Sequence, residues 1–438
     1  MTEWNLYEGD SLERWLTEQQ SRREAADGES ANNKPPYSKI SYNNKPDNKE
    51  SYNESCSCYN EVSLNESSCH EASDDDASTL RWLSAMQGEG VSALIANVDT
   101  KLRALRCEAL GVTLPLSVGD REYGDSYVFS PYTHYVSYAR EELSLLESRA
   151  ARALLGALLT PAGWLLKASR FNRAVQVNNR LLSTNLYPPL DASALASAVA
   201  LLLREFPDRS IVFRSLNRCT TPGYLDALTE MGFRLVPSRQ VYLYEAPDRI
   251  PSKARWLQKR DYGLLDKHGY DVCGPEELGE ADAPRLAELY RLLYLDKYSA
   301  HNPAFTPRFF ERALRSNLLK LHALRSRASG RLDAVLGYYA QGGIMTTPVF
   351  GYDTGVPQKI GLYRMLSAVL LRLAAEEGCL LHESAGAAQF KRNRGAVAEI
   401  EYSAVYDRHL PPHRRAGWAL LSPLLNRVGV PIMRKYKF

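Results

Sequence analysis

Between residues 361 and 377 the apolar side chains Leu362, Met365, Leu366, Val369, Leu370 and Leu373 recur every three to four positions, the stripe of a helix packed on one face. Gly378 closes that stripe, and the run 380–384 reads as a short buried strand. Around this helix the second half of the chain falls into an ordered series. Tyr270–Cys273 reads as a strand, and 283–298 as a helix with Leu286, Leu289, Tyr290 and Leu293 on one side. Residues 307–315 predict a second helix, with Thr306 as N-cap and Pro307 in the first turn. The stretches 318–325, 332–341 and 344–353 predict three strands, joined at Gly330 and at Gly342-Gly343, where hairpin turns fit. A short helix over 387–394 and a strand over 399–406 complete the series.

The first half carries a sparser pattern. Asp191 caps a helix over 191–206, with Leu195, Val199, Leu202, Leu203 and Phe206 at helical spacing and a stop at Pro207-Asp208. A strand over 211–216, a helix over 223–231 opened by Pro222, and a strand over 239–244 follow at short intervals, as in an α/β layer. The apolar run 150–166 is interrupted by Pro161, closed by Lys167 and too short to span a bilayer. It predicts a buried helix followed by a turn, and no membrane span. A basic helical connector bears Lys253, Arg255, Lys259, Arg260 and Lys267. Residues 28–79 are poor in aliphatics and end in Asp74-Asp75-Asp76, a composition that cannot offset chain entropy by burial. Trp4 to Trp15 reads as a short amphipathic helix able to dock. The expected organisation is a largely disordered tail over 1–79, an N-terminal domain over 80–249, the connector over 250–268 and a C-terminal catalytic domain over 269–438.

Composition changes this picture little. A chain of 438 residues, 45% hydrophobic, is long enough for two domains with cores. The net charge of +3 permits a phosphate-rich ligand without requiring nucleic acid. The N-terminus lacks the basic and apolar regions of a signal peptide. Seven cysteines, at 56, 58, 69, 107, 219, 273 and 379, are odd in number and scattered, which fits reduced thiols in the cytoplasm. Cys56-x-Cys58 with Cys69-His70 has an atypical spacing for zinc, so no metal site is expected.

The order strand, two helices, three antiparallel strands, helix, strand, helix, strand resembles the GNAT acyltransferase fold. Gln358-Lys359-Ile360-Gly361-Leu362-Tyr363 follows the third meander strand and opens the long helix, and is similar to that family's pyrophosphate loop. A helix N-terminus offers free N–H groups and a positive dipole end to phosphate, and Gly361 lets the backbone approach. Where the family has Gly or Ala this sequence has Tyr363, which disfavours ordinary acetyl-CoA. The segment 384–395, Ser-Ala-Gly-Ala-Ala-Gln-Phe-Lys-Arg-Asn-Arg-Gly, resembles the Fem-type branch, which includes aminoacyl-tRNA-dependent peptidyltransferases with two tandem GNAT-like domains.

The resemblance implies an α/β (α+β) fold of two tandem GNAT-like domains, each a mixed, mostly antiparallel sheet flanked by helices. It implies transfer of an acyl or aminoacyl group from a thioester or aminoacyl ester to an acceptor amine by direct attack. Gln358, Lys359, Gly361, Leu362, Tyr363, Arg364 and Lys391 would hold the donor. His382 and Glu383 end a central strand, where α/β sheets place active groups, so Glu383 is the first candidate base, His382 the second and Asp353 the third. Tyr402 completes the catalytic set. No permanently bound cofactor is expected; the cosubstrate would be acyl-CoA, another phosphopantetheine carrier such as an acyl carrier protein, or charged tRNA, and the acceptor a small-molecule or peptide amine. Three readings stay open: an acyl-CoA or carrier-dependent acyltransferase, a Fem-type aminoacyl-tRNA-dependent transferase, and a non-catalytic ligand-binding protein on the same fold.

Overall fold

The computed structural model describes residues 2–30, 68–143, 149–245 and 249–436, so the candidate cysteines Cys56 and Cys58 lie outside the described residues. The chain begins with β1 (Asn5–Tyr7), α1 (Gly9–Ser30), α2 (Ser68–Glu89) and the single turn α3 (Val91–Leu94). Trp4, Leu12, Trp15 and Leu16 are buried, so this start docks, but Asn5–Tyr7 pairs with β2 as a strand and the helix begins only at Gly9, which corrects the helix expected from Trp4 to Trp15. Trp82, Leu83 and Met86 anchor α2, which begins upstream of Leu80, where the composition changes. Strands β2 (Leu102–Cys107) and β3 (Val112–Val118) lead to a π-helical turn (Thr133–Ser137), α4 (Tyr138–Glu142) and α5 (Arg149–Ala168). The expected buried helix and turn are corrected here. Helix α5 runs through Pro161, since proline removes one N–H without breaking the neighbouring turns, and Trp164 stands 75% exposed.

Strand β4 (Ala174–Val177), α6 (Ala192–Glu205), β5 (Ser210–Leu216), α7 (Pro222–Glu230) and β6 (Arg234–Tyr244) finish the first half. The basic connector forms α8 (Ser252–Tyr262) and α9 (Leu264–His268). Then come β7 (Tyr270–Cys273), α10 (Ala283–Leu293) with a π-helical turn (Tyr294–Tyr298), α11 (Pro307–Ser316), β8 (Lys320–Ser326), β9 (Leu332–Gln341) and β10 (Ile344–Tyr352). Helix α12 (Leu362–Glu376), β11 (Leu380–His382), α13 (Ala388–Asn393), β12 (Val397–Tyr406), α14 (Pro412–Leu424) and α15 (Val430–Tyr436) close the chain. This realises the element order expected for the second half. No described helix is long and apolar enough to cross a membrane.

All the described strands lie in one twelve-stranded sheet ordered β1-β2-β3-β4-β5-β12-β6-β11-β10-β9-β8-β7. The described pairings are antiparallel except β4 with β5 and β10 with β11. Read from either edge to the centre, the order is the same, so the halves are related by a pseudo-two-fold between β12 and β6. Each half has given its last strand to the other: β6 lies between β12 and β11, and β12 between β5 and β6. The two exchanged strands pair from Val397↔Leu243 to Val405↔Arg234. Apolar side chains bury both faces, with α6 and α7 covering the first half and α8 and α12 the second.

Candidate functional site

Strands β10 and β11 run parallel through Ile344↔Leu380, Met345↔Leu381 and Thr346↔His382, and then part. Strand β10 bulges between Thr346 and Val349 and continues to Tyr352, while the chain after His382 turns at Ser384, whose φ is +58°. The gap is a wedge walled by the end of β10, the start of α12 and the segment leading to α13. Glu383 stands in this wedge. Its N–H donates to Tyr242 O of β6 at 2.8 Å, and its side-chain Oε1 is buried with no hydrogen-bond partner. Burial raises its pKa from 4.5 to about 7, against the pull of Lys391 and Arg394. Buried Lys391 donates to the carbonyls of Glu383 (2.6 Å), Ser384 (3.3 Å) and Ala385 (2.9 Å), and burial lowers its pKa to about 8 against the opposing effect of Glu383. Three acceptors take all the donors an ammonium has, so Lys391 clamps the turn rather than reaching for the donor loop.

Beside Glu383 a second charged group crosses the pseudo-two-fold. Glu401 of β12 faces Arg239 of β6 in the register; Glu401 is buried and Arg239 half-buried. Arg239 Nε donates to Glu401 Oε1 at 2.8 Å and Nη2 to Oε2 at 3.3 Å, with further bonds from Nη2 to Ser183 O and Thr184 Oγ1. Burial alone would push the Glu401 carboxyl up, but Arg239 and His382 outweigh it and hold it near 2. His382 Nδ1 accepts from the Ser384 N–H at 3.2 Å, which places the ring proton on Nε2, 3.6 Å from Glu401 Oε2. His382 is 1% exposed and braces the turn that presents Glu383.

The donor loop forms a tight turn, Gln358–Ile360, ended by Gly361 at φ +83° and followed by α12. Gln358 and Lys359 are exposed, and Leu362 is core. The first N–H groups of α12 have no partner within the helix, as at any helix start. Tyr363 fills the space a small residue would leave, its ring 4.9 Å from Phe390 and 5.3 Å from Phe350. Arg364 turns away: it and Arg394 converge on the two oxygens of fully buried Asp261, each through Nε at 2.8 Å, joining α8, α12 and α13. Asp353 is committed elsewhere, to Arg285 (2.7 Å), Arg331 (2.8 Å) and the Gly355 N–H. Burial raises its pKa, but these partners prevail and leave it lowered, which makes it a poorer base. Tyr402 packs with the core under α6 and α7, on the side of β12 opposite its neighbour Glu401, and does not join the cluster.

The first half has its own wedge, where β4 and β5 part after Val177↔Phe213. There Arg214 and Ser215, with φ +62°, stand where Glu383 and Ser384 stand in the second half. The chain's own polar groups fill this wedge. Arg214 Nη1 donates to Val128 O (2.6 Å) and Asn179 Oδ1 (3.2 Å), and Asn179 Nδ2 donates to Ser117 Oγ (2.8 Å). The remaining cavity, bordered by His134, Gln176, Arg214, Ser403 and Trp418, measures about 10 Å³, room for one water. Burial holds His134 down to about pH 3, helped by Arg214 and Arg239. Of the two wedges, the second half's is the one that holds a carboxyl group with a buried oxygen, Glu383 Oε1, lacking a hydrogen-bonding partner.

Sequence reasoning found His382 and Glu383 because they end a strand. It missed Arg239 and Glu401, whose signal, an arginine mid-way along one strand and a glutamate mid-way along another, has meaning once the strands are known to pair. Among the described residues, no group of His, Cys, Asp and Glu is placed to hold a metal ion.

The strand order of both halves is that of a GNAT-like fold in tandem. No protein-family model and no curated protein matches the sequence. Among solved structures, the chain is similar to the L-PGS of Bacillus licheniformis, at 14% identity and a TM-score of 0.39, covering 53% of this chain and 78% of that one. FemX gives 9% identity and a TM-score of 0.38 over 50% and 77% of the two chains. A tandem GNAT protein from the clavulanic acid biosynthesis pathway gives 12% and 0.34 over 76% and 96%. Such TM-scores reflect partial superposition, and the fold rests on the strand order of the chain itself.

Proposed function

We propose that the protein transfers an acyl or aminoacyl group from a thioester or aminoacyl ester to an acceptor amine, with Glu383 as the base that takes the proton of the attacking nitrogen. The observation that carries this is the buried Glu383 carboxyl, with no partner for Oε1 and its pKa raised to about 7, at the mouth of the wedge. A base poised near neutrality is half ionised at working pH and still accepts a proton readily. The amine nitrogen attacks the carbonyl carbon, the proton passes to Glu383, and the thiol or ribose hydroxyl leaves with a proton returned to it. Lys391 and His382 hold the turn that carries the base, and donor phosphates would lie against the start of α12 beside exposed Lys359.

Surface chemistry next to that loop favours the aminoacyl-tRNA donor as a second reading. Helix α8 shows Lys253, Lys259 and Arg260 to solvent beside Trp256, which is 58% exposed with the Arg260 guanidinium 4.9 Å from its ring centroid. Cations with an exposed aromatic ring suit a phosphate backbone and an unpaired base. The test is single-turnover transfer from acyl-CoA and from charged tRNA to amine acceptors across pH. Wild type should lose activity below about pH 7, and Glu383→Gln should lower the rate by roughly 10²–10⁴ while sparing donor binding. Donor binding with no turnover by wild type would leave a ligand-binding protein instead, and a wild-type profile in the variant would move the base elsewhere.

A further inference from the structure

The outward side of α5 and α14 takes no part in that reaction. The two helices lie so close that a Cβ on Gly417 would sit 2.9 Å from Leu166 Cδ2. Along α14 and the turn after it, Leu420, Leu424 and Val428 recur every four residues, a stripe on one face, and are 44%, 46% and 44% exposed. On α5, Trp164 is 75% and Leu165 38% exposed. A water-facing indole on one helix and a leucine stripe on the helix packed against it make the kind of apolar surface that marks an interaction site.

Charge narrows what could cover it. No Asp or Glu occurs from 148 to 190 or from 408 to 438, the stretches that build this face. Lys167, Arg170, Arg427, Arg434 and Lys435 are exposed there, and Glu399 of β12 comes near Arg434. A second copy of the chain would bring the same positive charge against itself. A nucleic acid would meet the cations but offers no partner to a leucine stripe.

We propose that this face docks on an anionic lipid bilayer, with Trp164, Leu420 and Leu424 entering the headgroup boundary and the cations lying against lipid phosphates. Apolar insertion and cationic attraction act together in such binding: the first is insensitive to salt, while the second is screened within a Debye length.

The experiment is flotation of the full chain with vesicles of phosphatidylcholine alone and of phosphatidylcholine mixed with phosphatidylglycerol. Binding to the mixed vesicles should be at least about tenfold tighter and should weaken with salt. Trp164→Glu with Leu424→Glu should abolish binding, and Arg427→Glu with Lys435→Glu should remove the preference for the anionic lipid. All four positions are exposed, so thermal melts should match wild type; Trp164→Ser with Leu424→Ser is the milder pair if they do not. Equal binding to both vesicle types, or wild-type binding by the Glu pair, overturns the proposal. So does sedimentation in which the Glu pair converts a dimer into a monomer, which would give the face to a second copy.

Discussion

The carboxyl of Glu383 is held behind the end of β11, where burial raises its pKa from 4.5 to about 7. A group whose folded pKa is raised contributes stability that is fully present below its unfolded pKa and is lost as pH rises through the folded value. Wild type should therefore lose stability between about pH 4.5 and 7 from this group. Lys391, lowered from 10.5 to about 8 by burial, has the opposite slope at higher pH. Glu383→Gln removes the first slope and, by taking away the carboxylate that opposes it, lowers the Lys391 pKa further. The variant should be more stable than wild type by on the order of 2 kcal/mol near pH 8 and about equal near pH 4, measured by urea unfolding. The same difference at both pH values would show that the carboxyl is solvated in the folded protein. A substitution that stabilises the fold while removing transfer separates a reactive carboxylate from a structural one.

At the level of elements, the exchange of β6 and β12 is pinned by the ion pair of Arg239 with the buried Glu401 carboxylate. Glu401→Gln leaves the half-buried Arg239 guanidinium without its countercharge and should cost about 1.5–3 kcal/mol, whereas Arg239→Met with Glu401→Leu should recover most of that loss. Chemical unfolding of the single and double variants decides it: a single substitution as mild as the double would mean that water reaches the pair. At the start of α12, Gly361 has φ +83°, and a Cβ there would meet Leu264 Cδ1 at 3.1 Å. Gly361→Ala should cost about 1–2 kcal/mol and Gly361→Asn, which tolerates the left-handed region, less. Comparing their thermal melts tests the strain, and no loss in the Ala variant would show that the turn relaxes. These elements also mark what a sequence reveals. The stripe of α12 was readable from its helical spacing, and β8, β9 and β10 from the glycines that separate them. Strands β2, β3 and β4 were not, since β4 is four residues buried throughout and β3 carries Pro115, which signals against a strand. Asp353 was chosen by the same logic as Glu383, but the nearby arginines, which a sequence does not display, hold it, and the side-chain direction of Tyr402, chosen as a polar contact, takes it into the core under α6 and α7.

For the whole molecule, the pseudo-two-fold order makes each half incomplete. Removing residues 1–249 would take β6 from between β12 and β11, and removing 269–438 would take β12 from between β5 and β6. Either cut opens long strand edges at the centre of the sheet and leaves either Arg239 or Glu401 without its partner, buried faces on both sides notwithstanding. The two halves have diverged in chemistry, with Arg214 in one wedge and Glu383 in the other, yet they share one sheet. Exchange of central strands couples their unfolding, because β6 cannot leave without unpairing β12 and β11 together. The described fold should accordingly unfold in one transition, followed alike by far-ultraviolet circular dichroism and by tryptophan fluorescence. Each half expressed alone should be aggregated or lack fixed tertiary signals, and co-expression of 1–249 with 250–438 should restore a soluble complex. Two separated transitions, or one half folding by itself with a sharp melt, would mean that the central exchange adds little and that each half holds its core unaided.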